Sequence, residues 1–133
     1  MLLTKKSEYA LLSLVTIAKS KEPVNVDVLS KELNISKSFL AKIMQALSKQ
    51  NILDSFKGIN GGFQLARPSD QITILEITTA AEDKIPTVFE CSPSMSSCPS
   101  QVGNCCTIWP LLNNLQDKIN TFLTDLTLKD IMQ

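Results

Sequence analysis

Hydrophobic positions recur at steps of three and four through the first fifty residues, which is the spacing of one face of an α-helix. Three such segments follow one another, separated by Pro23 and by a tight turn. Their predicted bounds are 5–19, 26–33 and 37–50. Each is preceded by a residue type that caps a helix N-terminus: Thr4, Asn25 and Ser36. The inward residues expected on the two later helices are Val28, Leu29, Leu33, Phe39, Leu40, Ile43, Met44 and Leu47.

The helical period ends at about residue 51, and a hairpin pattern replaces it. Two strand-like stretches, 52–57 and 63–67, flank a glycine-rich stretch at 58–62. Asn60 and Gly61 form the dipeptide that supplies the positive φ angles of a tight hairpin turn. Pro68 closes the unit because proline cannot donate to a continuing strand ladder.

A further helix and a long helical stripe complete the pattern. Thr73 and Glu76 form a capping box that predicts a helix to about residue 82. Residues 83–107 show no periodicity and contain all four cysteines, which predicts a loop. A heptad-like stripe then predicts one long helix, and a last short turn follows Thr127. The stripe residues are Ile108, Leu112, Leu115, Ile119, Phe122 and Leu126.

This order of elements predicts a mainly α fold with a small β-hairpin. Three helices followed by a hairpin are typical of a winged helix-turn-helix, which we place at residues 1–82. A cysteine-bearing sensor loop at 83–107 and a dimerisation helix with a C-terminal tail at 108–133 follow it. No internal repeat interrupts this plan.

The zero net charge hides an asymmetry between the two halves of the chain. Residues 1–67 hold ten Lys and Arg against five Asp and Glu, a net charge of +5, whereas residues 68–133 carry −5. Such a division is typical of a half that binds a polyanion and a half that does not, and a solvated surface with uneven charge is the alternative. No apolar run approaches the roughly 20 residues of a membrane span, and no export signal is evident. We therefore expect a cytoplasmic protein.

The second helix of a helix-turn-helix enters the major groove of DNA, so the polar residues of the predicted helix 37–50 are candidate DNA contacts. They are Lys37, Ser38, Lys42 and Gln45. The hairpin tip would approach the backbone or minor groove, where glycines allow close contact. Its candidate residues are Lys57, Gly58, Asn60 and Gly61. A symmetric dimer would present two such helices to a near-palindromic site on double-stranded DNA.

The cysteines carry the second candidate chemistry. Cys91, Cys98 and Cys105 are evenly spaced, and Cys106 follows directly. Thiolates favour soft cations and iron–sulfur clusters, but accessible thiols also serve as redox switches. Structural zinc and simple free thiols remain open as well. The chain has no histidine, no phosphate-cradling loop before a helix and no nucleophile–base set, so we do not expect an enzyme.

Several segments resemble the Rrf-two family of winged-helix regulators, of the IscR/NsrR type. They are LTKKSEYALLSL at 3–14, LNISKSFLAKIMQAL at 33–47, SFKGINGGFQLARP at 55–68 and the ITILEITTAAE that follows. The resemblance covers essentially the whole chain. It departs from the family pattern at two positions. Lys57 replaces the usual wing arginine, and Ala41 stands where some iron–sulfur members carry glutamate. A lysine lacks the bidentate fork of arginine, so the contact of the wing with DNA is expected to be weaker or moved to phosphate.

The resemblance implies a DNA-binding regulator, most often a repressor, that acts as a homodimer. It also implies a 2Fe–2S or 4Fe–4S cluster held by Cys91, Cys98 and Cys105, with Cys106 or Glu8 as the fourth ligand. Because the cysteine loop joins the wing unit to the dimer helix, its state is expected to alter DNA affinity. The alternative is a family member without a cluster, regulated by a protein partner or by thiol oxidation.

Overall fold

The computed structural model describes residues 3–59, 61–87 and 107–132. Its first three helices and the hairpin are followed by a short 3₁₀ turn at Ser69–Gln71 and then by three more helices. Their bounds are α1 Lys5–Lys19, α2 Val26–Leu33, α3 Lys37–Lys49, β1 Leu53–Phe56, β2 Gly62–Leu65, α4 Ile74–Glu82, α5 Trp109–Asp125 and α6 Leu128–Ile131. The predicted fold class, mainly helical with one antiparallel hairpin, is confirmed.

The helices begin where the sequence places capping residues. Thr4 accepts a hydrogen bond from the backbone N of Lys6, and Asn25 accepts one from Val28 at 2.8 Å. Thr73 and Glu76 form the expected capping box. Ser36 holds the N-cap position of α3, but its hydroxyl contacts the hydroxyl of Ser38 at 3.1 Å and caps no backbone amide. The prediction of a side-chain cap at Ser36 is therefore wrong.

One hydrophobic core joins α1, α3 and α4. The completely buried side chains of these helices include Leu14, Leu40, Met44, Leu47 and Ile77. Phe39 is only half-buried and meets the ring of Tyr9 edge to face, with 5.6 Å between ring centroids. On α2, Leu29 is fully buried but Val28 is 48% exposed. The inward placement of Val28 is wrong because this short helix buries a narrower face than its apolar pattern suggests.

The hairpin is tied to the helical unit by a backbone bridge. β1 and β2 pair antiparallel with Leu53 opposite Leu65, and Val24 adds a single bridge to Phe63 through hydrogen bonds of 2.9 and 2.8 Å. Gly62, at φ 150°, makes this bridge possible, because a Cβ there would lie 2.6 Å from the carbonyl oxygen of Val24. Positive φ is also found at Gly58. Asn60, the first residue of the predicted turn pair, lies outside the described residues.

The C-terminal segment returns to the core of the N-terminal half. The backbone N of Leu128 donates to the oxygen of Ile72, and the backbone N of Ile74 donates to the oxygen of Leu126, both at 2.9 Å. The side chain of Leu128 is fully buried, and Leu123 of α5 joins the same core. The predicted division into three units therefore stays an interpretation of the sequence, while the wing unit and the C-terminal helices share one core.

Truncation of Leu128 tests this closure. Leu128→Ala is expected to lower the free energy of unfolding by about 2–5 kcal/mol, because it leaves a cavity in the shared core. Ile131→Ala, a partly exposed position on the same helix, is the matched control and should cost less than about 1 kcal/mol. Urea denaturation measures both values. Equal and small effects would show that α6 does not close the core.

Candidate DNA interface and sensor segment

The two sides of α3 have opposite surroundings. Leu40, Ile43, Met44 and Leu47 are buried, whereas four polar residues at helical spacing are exposed on the other side. They are Ser38, Lys42, Gln45 and Lys49, which we call the α3 polar stripe. At about 100° per residue these positions fall on one line along the helix. Lys49 was not among the predicted contacts, although its spacing of four from Gln45 is the signal that places it here.

Lys37 lies to the side of this stripe and is held by α2. Its ammonium nitrogen is 2.7 Å from a carboxylate oxygen of Asp27, and both side chains are mostly exposed. The hydrogen bond from Lys37 lowers the pKa of Asp27, so this pair persists at pH values where a free aspartate already takes up a proton. The charge of Lys37 is therefore partly neutralised within the protein itself.

The wing projects from the bridge at Val24. Lys57 and Gly58 are exposed, and the side chain of Ile59 at the tip is entirely exposed. Gly61 is half-buried, and a Cβ there would meet the backbone of β1 and the turn, so no larger residue fits. Of the four predicted wing contacts, Asn60 lies outside the described residues. The described three share one exposed end of the hairpin.

The side chain of Arg67, at the base of the wing, contacts the 3₁₀ turn and α4. Its Nη1 atom lies 3.3 Å from a carboxylate oxygen of Glu76 and 3.3 Å from the carbonyl oxygen of Gln71. Partial burial opposes ionisation of Glu76, but the hydrogen bonds from Thr73 and Arg67 outweigh it and lower the pKa of Glu76. This arginine therefore fixes the wing relative to α4.

The candidate ligand Glu8 lies on the first turn of α1 and is exposed. Its carboxylate is 2.9 Å from the ammonium of Lys5, and the hydrogen bond between them raises the pKa of Lys5. The other candidate ligands, Cys91, Cys98, Cys105 and Cys106, lie outside the described residues. Within 3–59, 61–87 and 107–132, no three His, Cys, Asp or Glu residues are grouped so as to hold a metal ion.

The predicted cysteine-bearing loop at 83–107, which we call the cysteine segment, is connected at its start to α1 and to α5. The carboxylate of Glu82, the last residue of α4, accepts hydrogen bonds from the backbone N and the hydroxyl of Thr4, at 3.1 and 2.6 Å. The Gln116 side chain on α5 is only 3% exposed and donates to the carbonyl oxygen of Pro86 at 2.8 Å. Sequence reasoning missed both residues. No local pattern marks them, because their partners lie 78 and 30 positions away.

The structure divides the heptad stripe of α5 between two environments. Leu112 is buried, and Ile119 and Leu126 pack against the core of the same chain. The other three stripe residues are exposed together with Leu111, which the stripe did not include. We call this set the α5 apolar stripe: Ile108, Leu111, Leu115 and Phe122. α5 therefore has one broad apolar side, and the described part of the chain covers only a portion of it.

A helix-turn-helix with an exposed cationic helix, followed by a wing, is the architecture of DNA-binding regulators. No helix in the described part of the chain is both long and apolar enough to cross a membrane. The family model Rrf2, described as an iron-dependent transcriptional regulator, matches residues 3–133. The chain belongs to the Rrf2 family. It is thus a DNA-binding transcriptional regulator and not an enzyme.

Individual relatives agree with the family match. A putative HTH-type transcriptional regulator of Neisseria meningitidis serogroup A is 31% identical over 135 residues, covering 100% of this chain and 88% of the relative. The transcriptional regulator IscR of Sodalis glossinidius is 31% identical over 134 residues, covering 99% and 79%. The structure of CymR, the global cysteine regulator of B. subtilis, superimposes with a TM-score of 0.76 at 22% identity, covering 99% and 96%. This last similarity shows the shared fold.

Releasing Lys37 from its ion pair should strengthen DNA binding. Asp27→Asn removes the paired carboxylate, so we expect severalfold tighter binding at low salt. The salt dependence (log K against log salt) should steepen by up to about 0.9 if Lys37 gains one phosphate. Glu32→Gln, which removes an exposed carboxylate of the same helix, is the control for net charge. Fluorescence anisotropy with a labelled duplex measures both. A slope that is the same in the two variants would contradict a DNA contact by Lys37.

Proposed function

We propose that the protein is a homodimeric, cytoplasmic repressor that places α3 of each subunit in the major groove. We further propose that an iron–sulfur cluster, or the redox state of the loop cysteines, controls its DNA affinity. The observation that carries this proposal is the α3 polar stripe, which is exposed on a helix whose other side is buried in the core.

The stripe offers both kinds of contact that DNA recognition needs. The amide of Gln45 can bond the edge of adenine, while Lys42, Lys49 and the Ser38 hydroxyl can reach bases or phosphates. Lys57 and the glycines of the wing would follow the neighbouring backbone or minor groove. Base contacts select the sequence and phosphate contacts set the register, so the two elements together favour one orientation on the duplex.

A second copy of the chain is the proposed cover for the α5 apolar stripe. α5 has 17 residues, about 26 Å at 1.5 Å per residue, and its exposed apolar side chains recur over most of that length. Exposed large side chains at three-and-four spacing are typical of a helix that packs against a partner helix. Two-fold pairing would direct both α3 helices to one face and favour a near-palindromic operator.

The donor set fits an iron–sulfur cluster. Three cysteines would supply thiolates, the preferred cluster ligands, and the family description as iron-dependent supports an iron group. For the fourth ligand, Glu8 is exposed and, among the described residues, is paired with Lys5 alone, so a partner subunit could reach it, and Cys106 is the alternative. A bound cluster would make the segment responsive to iron supply and oxidants.

The attachments of the cysteine segment support its role as a controller. Glu82 joins its start to the N-terminus of α1, and Gln116 joins Pro86 to α5. A change in the order of this segment would therefore act on both the DNA-binding unit and the dimer helix. Each state of the segment would favour one geometry of the dimer. The change in the free energy of DNA binding then equals the difference between the two states in how much they stabilise the DNA-binding geometry.

The dimer is tested at Phe122. Phe122→Lys places a charge in the α5 apolar stripe, and burying an unpaired ammonium should weaken dimerisation by about a hundredfold or more. Thr124→Lys, two residues along and so on the far side of the helix, is the control. Analytical ultracentrifugation gives the association state. A variant at position 122 that dimerises like the control would contradict this interface.

The cluster is tested by colour and composition after anaerobic purification. Cys91→Ala, Cys98→Ala and Cys105→Ala should each remove the visible absorbance and the bound iron and sulfide. Of Cys106→Ala and Glu8→Gln, the substitution at the true fourth ligand should shorten the lifetime of the cluster, and the other serves as its control. A colourless wild type without iron or sulfide, prepared from iron-replete cells, would overturn the cluster proposal. Oxidant-dependent DNA binding of that protein would then favour a thiol switch, and a co-purifying protein would favour partner control.

A further inference from the structure

A cleft lies between α3 and α4 and opens beside the start of α1. Its volume is about 290 Å³. Its apolar lining comes from side chains of α3 and α4, several of them small, so the two helices leave a space between them. These residues are Phe39, Ile43, Ala46, Ala80 and Ala81. We call this space the α3/α4 cleft.

The polar lining of the α3/α4 cleft is mainly cationic. Lys6 of α1 and Lys42 and Lys49 of α3 line it, against the single carboxylate of Asp83 and the amide of Gln50. Within the described ranges of the chain, none of these three ammonium groups forms an ion pair. The cleft thus combines an apolar interior with a surplus of positive charge, an arrangement that suits a ligand with one apolar part and one anionic part.

We propose that the α3/α4 cleft binds a small organic anion, a carboxylate with an apolar tail, and that this anion opposes DNA binding. The cleft lies at the low end of ligand-pocket volumes, which are about 300–1,000 Å³, so a short aliphatic or aromatic acid fits better than a large cofactor. A bare phosphate or sulfate would leave the apolar lining unused. A neutral apolar compound would leave the three ammonium groups unused.

Opposition to DNA follows from the shared residues, and this part of the inference rests on the proposed function. Lys42 and Lys49 belong both to the α3/α4 cleft and to the α3 polar stripe. An anion bound between them neutralises charge that would otherwise meet phosphates, and each lost phosphate contact weakens DNA binding. The anion and the duplex therefore compete for the same ammonium groups.

Octanoate is a suitable probe, with acetate and 1-octanol as controls that lack the tail or the charge. In an NMR titration of the full chain, octanoate should shift the amide signals of Ala46, Ala80 and Ala81 in a saturable way. Acetate should bind at least about tenfold more weakly because each methylene adds to burial. 1-Octanol should bind at least about threefold more weakly than octanoate because it pairs with no ammonium group.

Two variants separate the site from general surface binding. Ala46→Leu fills the cleft and should abolish the octanoate shifts. Lys6→Gln, outside the proposed DNA contacts, should weaken octanoate binding about threefold, as expected for one exposed ion pair. Lys31→Gln, an exposed lysine of α2 that does not line the cleft, is the matched control and should bind as the wild type does.

Competition is then measured with a duplex that the protein selects from a random pool. Saturating octanoate should weaken binding of this duplex by the wild type but not by Ala46→Leu. Absence of saturable shifts at the cleft, with duplex binding intact, overturns the inference alone. Shifts at the cleft in a protein that selects no duplex overturn the proposed function and leave the site standing. Shifts with unchanged duplex affinity overturn the competition.

Discussion

The burial of one side of α3 determines what the rest of the molecule can do. Leu40, Met44 and Leu47 are completely buried, so α3 has one stable rotation about its axis and the polar stripe on its other side is exposed. Burying three such side chains contributes several kcal/mol, about 1.5–3 kcal/mol each, against well under 1 kcal/mol for a typical exposed charge contact. The position of Gln45 and Lys42 is therefore a consequence of core packing.

The same core also receives the C-terminal helices, so α4 before the cysteine segment and α5 after it belong to one packed unit. Leu128 and the paired backbone at 72–74 and 126–128 return the C-terminus to the wing unit. α5 therefore cannot move as a free arm, and its uncovered stripe keeps a set relation to α3. Glu82 and Gln116 hold the start of the cysteine segment against α1 and α5. In the proposed dimer, a signal received there would act on the parts that set the spacing of the two recognition helices.

The helices and strands were predicted well from the sequence because their formation depends mainly on neighbouring residues. The caps at Thr4, Asn25 and Thr73 and the helical periods depend on residues within one or two turns, and the structure has them as expected. Features that depend on distant partners could not be predicted. The bonds of Glu82 to Thr4 and of Gln116 to Pro86, and the division of the α5 stripe, arise from packing between elements far apart in the chain. Val28 is exposed for the same reason, since periodicity gives the apolar side of a helix but not how much of it a neighbour covers.

The central claim, that the α3 polar stripe reads DNA, is tested most directly by the base specificity of Gln45. For a duplex selected from a random pool and a scrambled duplex, the ratio of affinities should fall about tenfold to a hundredfold in Gln45→Ala, as expected for loss of one amide–base contact. Binding to the scrambled duplex should stay as in the wild type, and Lys31→Gln should leave both affinities unchanged. An unaltered ratio in Gln45→Ala would contradict the placement of this face of α3 in the major groove.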